Sequence, residues 1–551
     1  MIKERNRKQE TRNRKQNIFA NKVNQSANRL RLLRYNHDDI ILTLGSCLLF
    51  LLLSSPTFSQ ENISNLEGKK LHNTVRLNFI PVQMPTDFDA NLKPTMGMMG
   101  LHYQIPINNW LYGGIGMYGA ITGDQGGLFT LGVELGVTKK IYNKFYLDAN
   151  FHFGGGGGYR YLINDGAFIN PNIGISYKQK KYNFGIQYSH VDFYTGKIKS
   201  NSVSFFVEIP SILKFTDYNN AQKEFVATNI SKDNFWKAPV TKNVQQVRFD
   251  FFKPFGNSRK DNANGQAPLR ETLYVLGFEY QKYINSNTFL FAHTDAIYKG
   301  LRAGFMDLFF GAGYHPYQSK HVNIFTKLGI GAAGGRIAPE GGLMIYPSAG
   351  VDLKISNKLA FSSHLGYYRA VAGDLEAYTF GVGLKYFGLN GGTENYTHFK
   401  TQGIRIGLQN QTYFDVQKTD ASPVDLQLLA LQVNYDLNKT FYLIGEIGFA
   451  YEGKSGGYAH GMAGLGIYSP YFFKNKMRAH LEGMVGAAGG AGVDTGEGIV
   501  VRPTLGLSYH VSNAIAVYTS AGKMISPFSN LNSTNINIGL SFGLATLSAR
   551  K

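Results

Sequence analysis

Beyond Gln60 no segment of this chain carries a sustained helical stripe, while apolar and polar residues alternate with a period of two almost throughout. A chain patterned in this way separates its two kinds of side chain only as β-strand, where successive residues point to opposite faces. In the first third, residues 74–81, 95–105, 110–121, 127–139, 144–155, 171–179, 182–192 and 201–209 follow the pattern, which predicts eight strands. The connections alternate in length. Residues 106–109, 140–144 and 180–182 are short, whereas 85–94, 156–170 and 193–200 are longer.

The same order of events then recurs. Arg76, Arg248 and Arg405 each sit between apolar neighbours: Val75 and Leu77, Val247 and Phe249, Ile404 and Ile406. Glycine clusters follow at Gly154–Gly158, Gly331–Gly335 and Gly486–Gly490, and after them Pro171-Asn-Ile-Gly174, Pro347-Ser-Ala-Gly350 and Pro503-Thr-Leu-Gly506. A spacing of roughly 150–175 residues exceeds the about 20–50 of a solenoid repeat, so the repeated object is domain-sized. The sequence predicts units at residues 60–210, 244–387 and 403–551, with linkers at 211–243 and 388–402. Glycines at strand ends permit bends and loops, and each proline is expected to start a strand, where a missing N–H costs least.

The N-terminal region reads differently. An apolar run from Ile40 to Leu53 follows a basic stretch and precedes Ser55-Pro-Thr-Phe-Ser59-Gln60. It is shorter than the about 20 residues of a membrane-spanning helix and predicts a signal peptide cleaved near Ser59. Residues 1–59 are therefore set apart as a basic N-region and signal peptide. Cys47 is the only cysteine, which leaves the mature chain without disulfides, thiolate metal sites or a cysteine nucleophile. The N-region holds 11 Lys/Arg and 4 Asp/Glu, leaving 45 against 33, or +12, beyond it. Many of these lysines fall in short turns (Lys139-Lys140, Lys180-Lys181, Lys474 to Lys476), where they are simply solvated.

On the eighth predicted strand Val203, Phe205, Val207 and Ile209 share one face, opposite Ser202, Ser204 and Glu208. Counterparts are Tyr378, Phe380, Val382, Leu384 and Tyr386, then Ile536, Ile538, Leu540, Phe542 and Leu544. Periodicity is silent on which face is wet. Strand lengths, aromatics at strand ends (Trp110 and Tyr112; Tyr142, Phe145 and Tyr146; Tyr468 and Tyr471 to Phe473) and export without a helical span favour lipid on the apolar side. The expected class is all-β: a transmembrane antiparallel β-barrel protein of three eight-stranded units. Two topologies fit, three small barrels in tandem or one barrel of about 24 strands.

The last strand reads Asn537-x-Gly539-x-x-Phe542-x-Leu544, which resembles the closing-strand signal of bacterial outer-membrane β-barrels. Thr379-x-Gly381-x-x-Leu384-x-Tyr386 and Ser202-x-Ser204-x-x-Val207-x-Ile209 fit the same pattern, the latter with Ser for Gly. The family often ends on an aromatic residue, whereas this chain runs on to Lys551. A signal peptide followed by Gln60 is similar to those of Bacteroidetes-type bacteria. The resemblance implies the outer membrane, outer-membrane lipid as a partner, and barrel-assembly machinery engaging the closing-strand segments that end near Leu544.

If the apolar flanks face lipid, the same phase turns Arg76, Glu134 and Glu208 inward in the first unit, Arg248, Asp250, Glu279 and Asp352 in the second, and Arg405, Glu446 and Glu482 in the third. An Arg–carboxylate network filling a narrow lumen is the structural expectation, and a charged constriction in a wider pore the functional alternative. Gly154–Gly158 lack the strand–loop–helix context of a phosphate loop. Some outer-membrane barrels act on lipid acyl chains through a Ser with a nearby His, and Ser189-His190 and Ser363-His364 superficially fit. They occupy different places in the aligned units, and the third unit has Thr519-Ser520-Ala521 there. His293-x-Asp295 and His315 with His321 lack an evident third metal ligand. No catalytic residue, metal, cofactor or nucleic-acid partner is expected. The functional reading is a non-catalytic membrane scaffold or surface-binding protein, with a wide channel or export pore and a lipid-modifying enzyme as alternatives.

Overall fold

A computed structural model describes residues 66–230, 234–260, 268–300, 304–335, 341–419 and 421–550. The basic N-region, Cys47 and the signal-peptide cleavage near Ser59 lie outside the described residues.

Antiparallel strands dominate, and their pairing closes three times. The first ring comprises β1 (Lys69–Gln83), β2 (Thr95–Pro106), β3 (Leu111–Thr122), β4 (Phe129–Tyr142), β5 (Phe145–Gly157), β6 (Ala167–Lys178), β7 (Asn183–Phe193) and β8 (Lys199–Asp217). Each strand pairs with its successor, and β8 returns to β1 with Leu77 opposite Val207 and Arg76 opposite Glu208. A short strand β9 (Glu224–Val226) intervenes before the second ring. That ring runs through β10 (Thr241–Pro254), β11 (Leu273–Tyr283), β12 (Thr288–Lys299), β13 (Phe305–Gln318), β14 (Val322–Gly335), β15 (Leu343–Lys354), β16 (Leu359–Ala370) and β17 (Glu376–Asn390), with β17 on β10. The third has β18 (His398–Val416), β19 (Val424–Asp436), β20 (Phe441–Glu452), β21 (Ala459–Tyr468), β22 (Met477–Gly489), β23 (Ile499–His510), β24 (Ile515–Ile525) and β25 (Asn532–Arg550), with β25 on β18.

The strands overrun all four expected boundaries between units and linkers. β8 continues past residue 210 because β1 extends down to Lys69, which pairs with Phe215. β17 and β18 likewise reach into the expected linker at 388–402.

The prolines are not strand starts. Pro171, Pro347 and Pro503 lie inside β6, β15 and β23. Each falls where the ladder to the following strand skips two residues: between Ile169 and Asn172, Ile345 and Ser348, Val501 and Thr504. A local interruption in the ladder accommodates the missing donor without ending the strand.

The glycine clusters are also largely strand rather than loop. Gly154–Gly157 belong to β5, Gly331–Gly335 to β14 and Gly486–Gly489 to β22. At the long-loop end several bring rings together, since only a residue without Cβ fits between two backbones. A Cβ on Gly155 would strike the carbonyls of Phe449 and Ala450, and one on Gly127 (φ +92) the backbone of Gly334 and Gly335. Gly456 N donates to Asn164 O at 2.7 Å and Gly457 N to Gly156 O at 3.1 Å. Beside these contacts Phe129 and Leu131 of the first ring, Ala332 of the second and Phe449 of the third form one apolar cluster.

Candidate functional site

Side-chain polarity is inverted relative to a water-soluble sheet. On β8, Val203 is 66% and Phe205 53% exposed, while Ser204 and Glu208 are buried. On β25, Ile538 and Leu540 point outward and Asn535 and Asn537 inward; on β17, Phe380 and Leu384 are exposed and Thr379 and Lys385 buried. Exposed aromatics gather near the short turns, among them Trp110, Tyr142, Tyr182, Tyr317 and Phe473.

All ten charges expected to face inward are buried: Arg76, Glu134, Glu208, Arg248, Asp250, Glu279, Asp352, Arg405, Glu446 and Glu482. In the first ring the Arg76 guanidinium bonds Glu208 Oε1 (2.5 Å) and Asp148 Oδ1 (3.0 Å), lies 3.8 Å from Glu134, and stacks 4.1 Å from the centre of Phe206. Glu134 bonds His102 Nδ1 (2.8 Å) and accepts from Gln104 Nε2 (3.1 Å). Tyr112 donates to Asp148, and Asn183 to Glu208 Oε2.

In the second ring Arg248 bonds Glu279 (3.0 Å) and pairs with Asp250, Lys327 bonds Glu279 at 2.7 Å, and Lys385 lies 2.8 Å from Asp352. The third ring departs from its repeat. Arg405 meets no carboxylate among the described ion pairs; its guanidinium stacks on Tyr218 at 4.0 Å and donates to Tyr471 at 3.3 Å. Glu446 is held instead by Arg502 (2.6 Å) and His460 (2.9 Å), and Glu482 accepts from Tyr442 (2.8 Å) and Gln432 (3.0 Å). The expectation that each repeated arginine anchors a carboxylate network fails here, because Tyr218 from the inter-ring segment occupies the space beside Arg405. Tyr218 also donates to Asp436 at 2.6 Å.

Sequence reasoning missed Asp148, His102, Asp307, Lys327, His460 and Arg502. Their inward phase was readable strand by strand, but their partners lie on other strands. It also missed that the lumens are layered. Toward the long loops, apolar residues replace the charges. Ile80, Val82, Met96, Met98, Leu162, Ile163 and Phe193 fill the first ring, Phe252, Phe305, Phe309, Met344 and Tyr368 the second, and Leu426, Leu428, Val500, Met524 and Leu531 the third. A small cavity of about 30 Å³ in the third ring, lined by Arg405, Tyr442, Tyr468, His480, Glu482 and Tyr518, has room for a few waters.

The two Ser-His pairs do not converge. Ser189 is buried, bonded to Ser204 at 2.6 Å, while the half-exposed His190 bonds Asn201. Adjacent residues on a strand point to opposite faces, and the same holds for Ser363 and the buried His364. The three histidine and aspartate positions His293, Asp295 and Asp307 do come together, in the second ring.

No family model and no curated protein matches the chain. Among solved structures, a de novo designed transmembrane β-barrel is 14% identical over 28% of this chain and 99% of its own, with a TM-score of 0.19. The ferric enterobactin receptor PfeA in complex with BCV-L6 is 6% identical over 87% of this chain and 82% of its own, with a TM-score of 0.26. The outer-membrane protein opdK from Pseudomonas aeruginosa is 9% identical over 87% and 99%, with a TM-score of 0.23. TM-scores of this size mark no shared arrangement of the strands.

Proposed function

We propose that the chain is an integral outer-membrane protein of three tandem eight-stranded barrels, each closed on itself and internally plugged, which serves as a non-catalytic membrane scaffold. The observation that carries this reading is the inverted polarity, with aliphatic and aromatic rows outside and ion pairs inside. Exposed rows of this kind are stable in hydrocarbon, and closed rings leave no unpaired backbone edge within it. A single barrel of about 24 strands would need β8 to pair with β10 and β17 with β18 along their lengths. The pairings of β8 with β1 and β17 with β10 favour separate barrels.

Filled lumens argue against a channel, since charges bonded to one another are not free to hydrate a passing ion. The opposed directions of Ser189 and His190 argue against a lipid hydrolase of that type. Outer-membrane lipid is the partner of the exposed rows. The closing-strand-like segments sit on the strand that completes each ring, which suits recognition by barrel-assembly machinery: Asn537–Leu544 pairs with β18 and Thr379–Tyr386 with β10. Purified protein in planar bilayers is expected to give no stable conductance steps. Large, reproducible steps overturn the plugged-scaffold reading in favour of the pore.

A further inference from the structure

Among the described residues, two buried carboxylates of the second ring accept no hydrogen bond, Asp352 and Asp295, and of these only Asp352 has a cation at close range, Lys385 at 2.8 Å. Asp295 is 2% exposed, and neither of its carboxylate oxygens accepts a hydrogen bond. Its neighbours are His293 on the same strand and Asp307, directly opposite on β13. His293 Nε2 is likewise without a hydrogen-bond partner, and it lies 3.9 Å from Asp295 Oδ2 and 4.0 Å from Asp307 Oδ1. One nitrogen and two carboxylate oxygens thus lie within 4.8 Å of one another, all buried. Stranding an ionised carboxylate in a dry interior costs several kcal/mol, so such a group implies something that balances it.

The charges around it do not supply the balance. Among the described residues the interior holds Arg248, Lys327 and Lys385 against Asp250, Glu279, Asp295, Asp307 and Asp352, a formal excess of two negative charges with the histidines neutral. The first barrel carries the same excess, Arg76 against Glu134, Asp148 and Glu208, but there every carboxylate has donors. In the second barrel Arg248 is drawn to Asp250 and Glu279, and its Nη2 is left 3.7 Å from Asp295.

We propose that His293, Asp295 and Asp307 form a binding site for one divalent first-row transition cation, zinc being the best fit, inside the second barrel. Two positive charges cancel the excess. Three ligands of one nitrogen and two oxygens, with a water completing a tetrahedron, are within zinc's normal range. Ligand atoms about 2.1 Å from an ion in that geometry are about 3.4 Å apart, so side-chain shifts of about 0.5 Å to a little over 1 Å close the site. For Nε2 to ligate, Nδ1 must carry the proton. In the structure Nδ1 accepts from Arg248 instead, so metal binding requires the ring to exchange tautomer and Nδ1–H to close on Glu279 Oε2, now 3.6 Å away, as outer carboxylates do at metal-bound histidines. Arg248 Nη1, now 2.9 Å from Nδ1, then turns wholly to Glu279. Asp307 keeps its bond from Tyr368 at 3.0 Å. Phe305, Phe309 and Tyr368 close the lumen on the long-loop side, so the ion enters as the barrel folds.

The test is to refold the full chain from urea into detergent micelles with and without Zn²⁺, remove free metal, and measure zinc per folded chain by mass spectrometry. The expected result is about one zinc per chain for the unaltered protein and for Asp352→Asn, and at least tenfold less for Asp295→Asn and Asp307→Asn. Folded unaltered protein without zinc overturns the proposal, as does zinc retained in Asp295→Asn. Where the variants do not fold, zinc-edge X-ray absorption of the unaltered protein decides: one imidazole nitrogen in the shell supports the site, and an all-oxygen shell refutes it.

Discussion

Arg76→Leu separates the chemistry of the first ring from the repeat that produced it. The side chain is wholly buried, with Glu208 and Asp148 at bonding distance and Glu134 at 3.8 Å. Leucine fills most of the volume but leaves Glu208 with Asn183 alone and Asp148 with Tyr112 and Asn150. Removing one partner from a buried ionic network costs about 3–5 kcal/mol. Arg405→Leu, at the equivalent repeat position, strands no directly bonded carboxylate. It loses a cation–π stack on Tyr218 and one bond to Tyr471, together about 1–2 kcal/mol. The two substitutions should therefore differ by about 2 kcal/mol, or roughly thirtyfold in the folding equilibrium. Urea titrations in detergent read this barrel by barrel, with Trp110 emission reporting the first and a Phe472→Trp reporter, in a background lacking both native tryptophans, the third. Adding Glu208→Gln to Arg76→Leu should recover part of the loss. Equal costs at the two arginines, or a cost below about 1 kcal/mol at Arg76, refute the assignment of distinct interiors.

Gly127→Val should loosen the contact between the first two barrels, because its φ of +92 and the Gly334–Gly335 backbone both exclude a side chain. Its expected readout is faster proteolysis at the inter-barrel loops with each barrel's own urea midpoint retained. Tyr218→Ala should destabilise the third barrel by about 1–3 kcal/mol through the bond to Asp436 and the Arg405 stack, measured with the same reporter. Pro171→Ala should shift the first barrel's stability by no more than about 0.5 kcal/mol, because the ladder already skips that position. A loss above 2 kcal/mol would show that the ring, not the gap, is what matters there.

What the sequence made legible was local. Period-two alternation located six strands of the first ring to within about four residues, but began β1 five residues late and ended β8 eight residues early, and the repeated arginine fixed the phase that buries Arg76, Arg248 and Arg405 alike. Illegible were the features that depend on partners across rings or strands. Asp307 meets Asp295 only because β12 and β13 pair with those two residues opposite. Arg502 replaces Arg405 as the third barrel's carboxylate anchor because Tyr218, arriving from a distant segment, fills the latter's surroundings. The prolines looked like strand starts because one-dimensional patterning cannot show a two-residue gap in a ladder.

The run-on past Leu544, which separates this chain from the closing-strand pattern it otherwise follows, has a physical explanation. A tilted strand crosses a bilayer in about 9–11 residues, yet β8, β18 and β25 each have 19. Their surplus gathers at the short-turn end. There Leu544 and Ala545 oppose Asp217 and Thr216 of β8, Ser548 opposes Asn390 of β17, and Arg550 bonds Glu224 of β9 at 2.7 Å. Leu544, Ala545, Leu547 and Ala549 are buried there, although a barrel standing alone would leave residues beyond its rim in water. The tail is thus a joint as well as part of the closure, because the pairs that seal β25 to β18 run on from Asn535 through Leu544 to Arg550. Ending the chain after Leu544 should leave the third ring closed by the ten pairs from Asn535 to Leu544, but lower its urea midpoint through the six lost pairs and the buried Leu547, and release the short-turn end of the bundle. Crosslinking between cysteines placed at Thr216 and Ala545 in the full chain, and between Thr216 and Leu544 in the shortened one, reads the release directly. Undiminished crosslinking would mean that the glycine contacts at the other end hold the bundle alone.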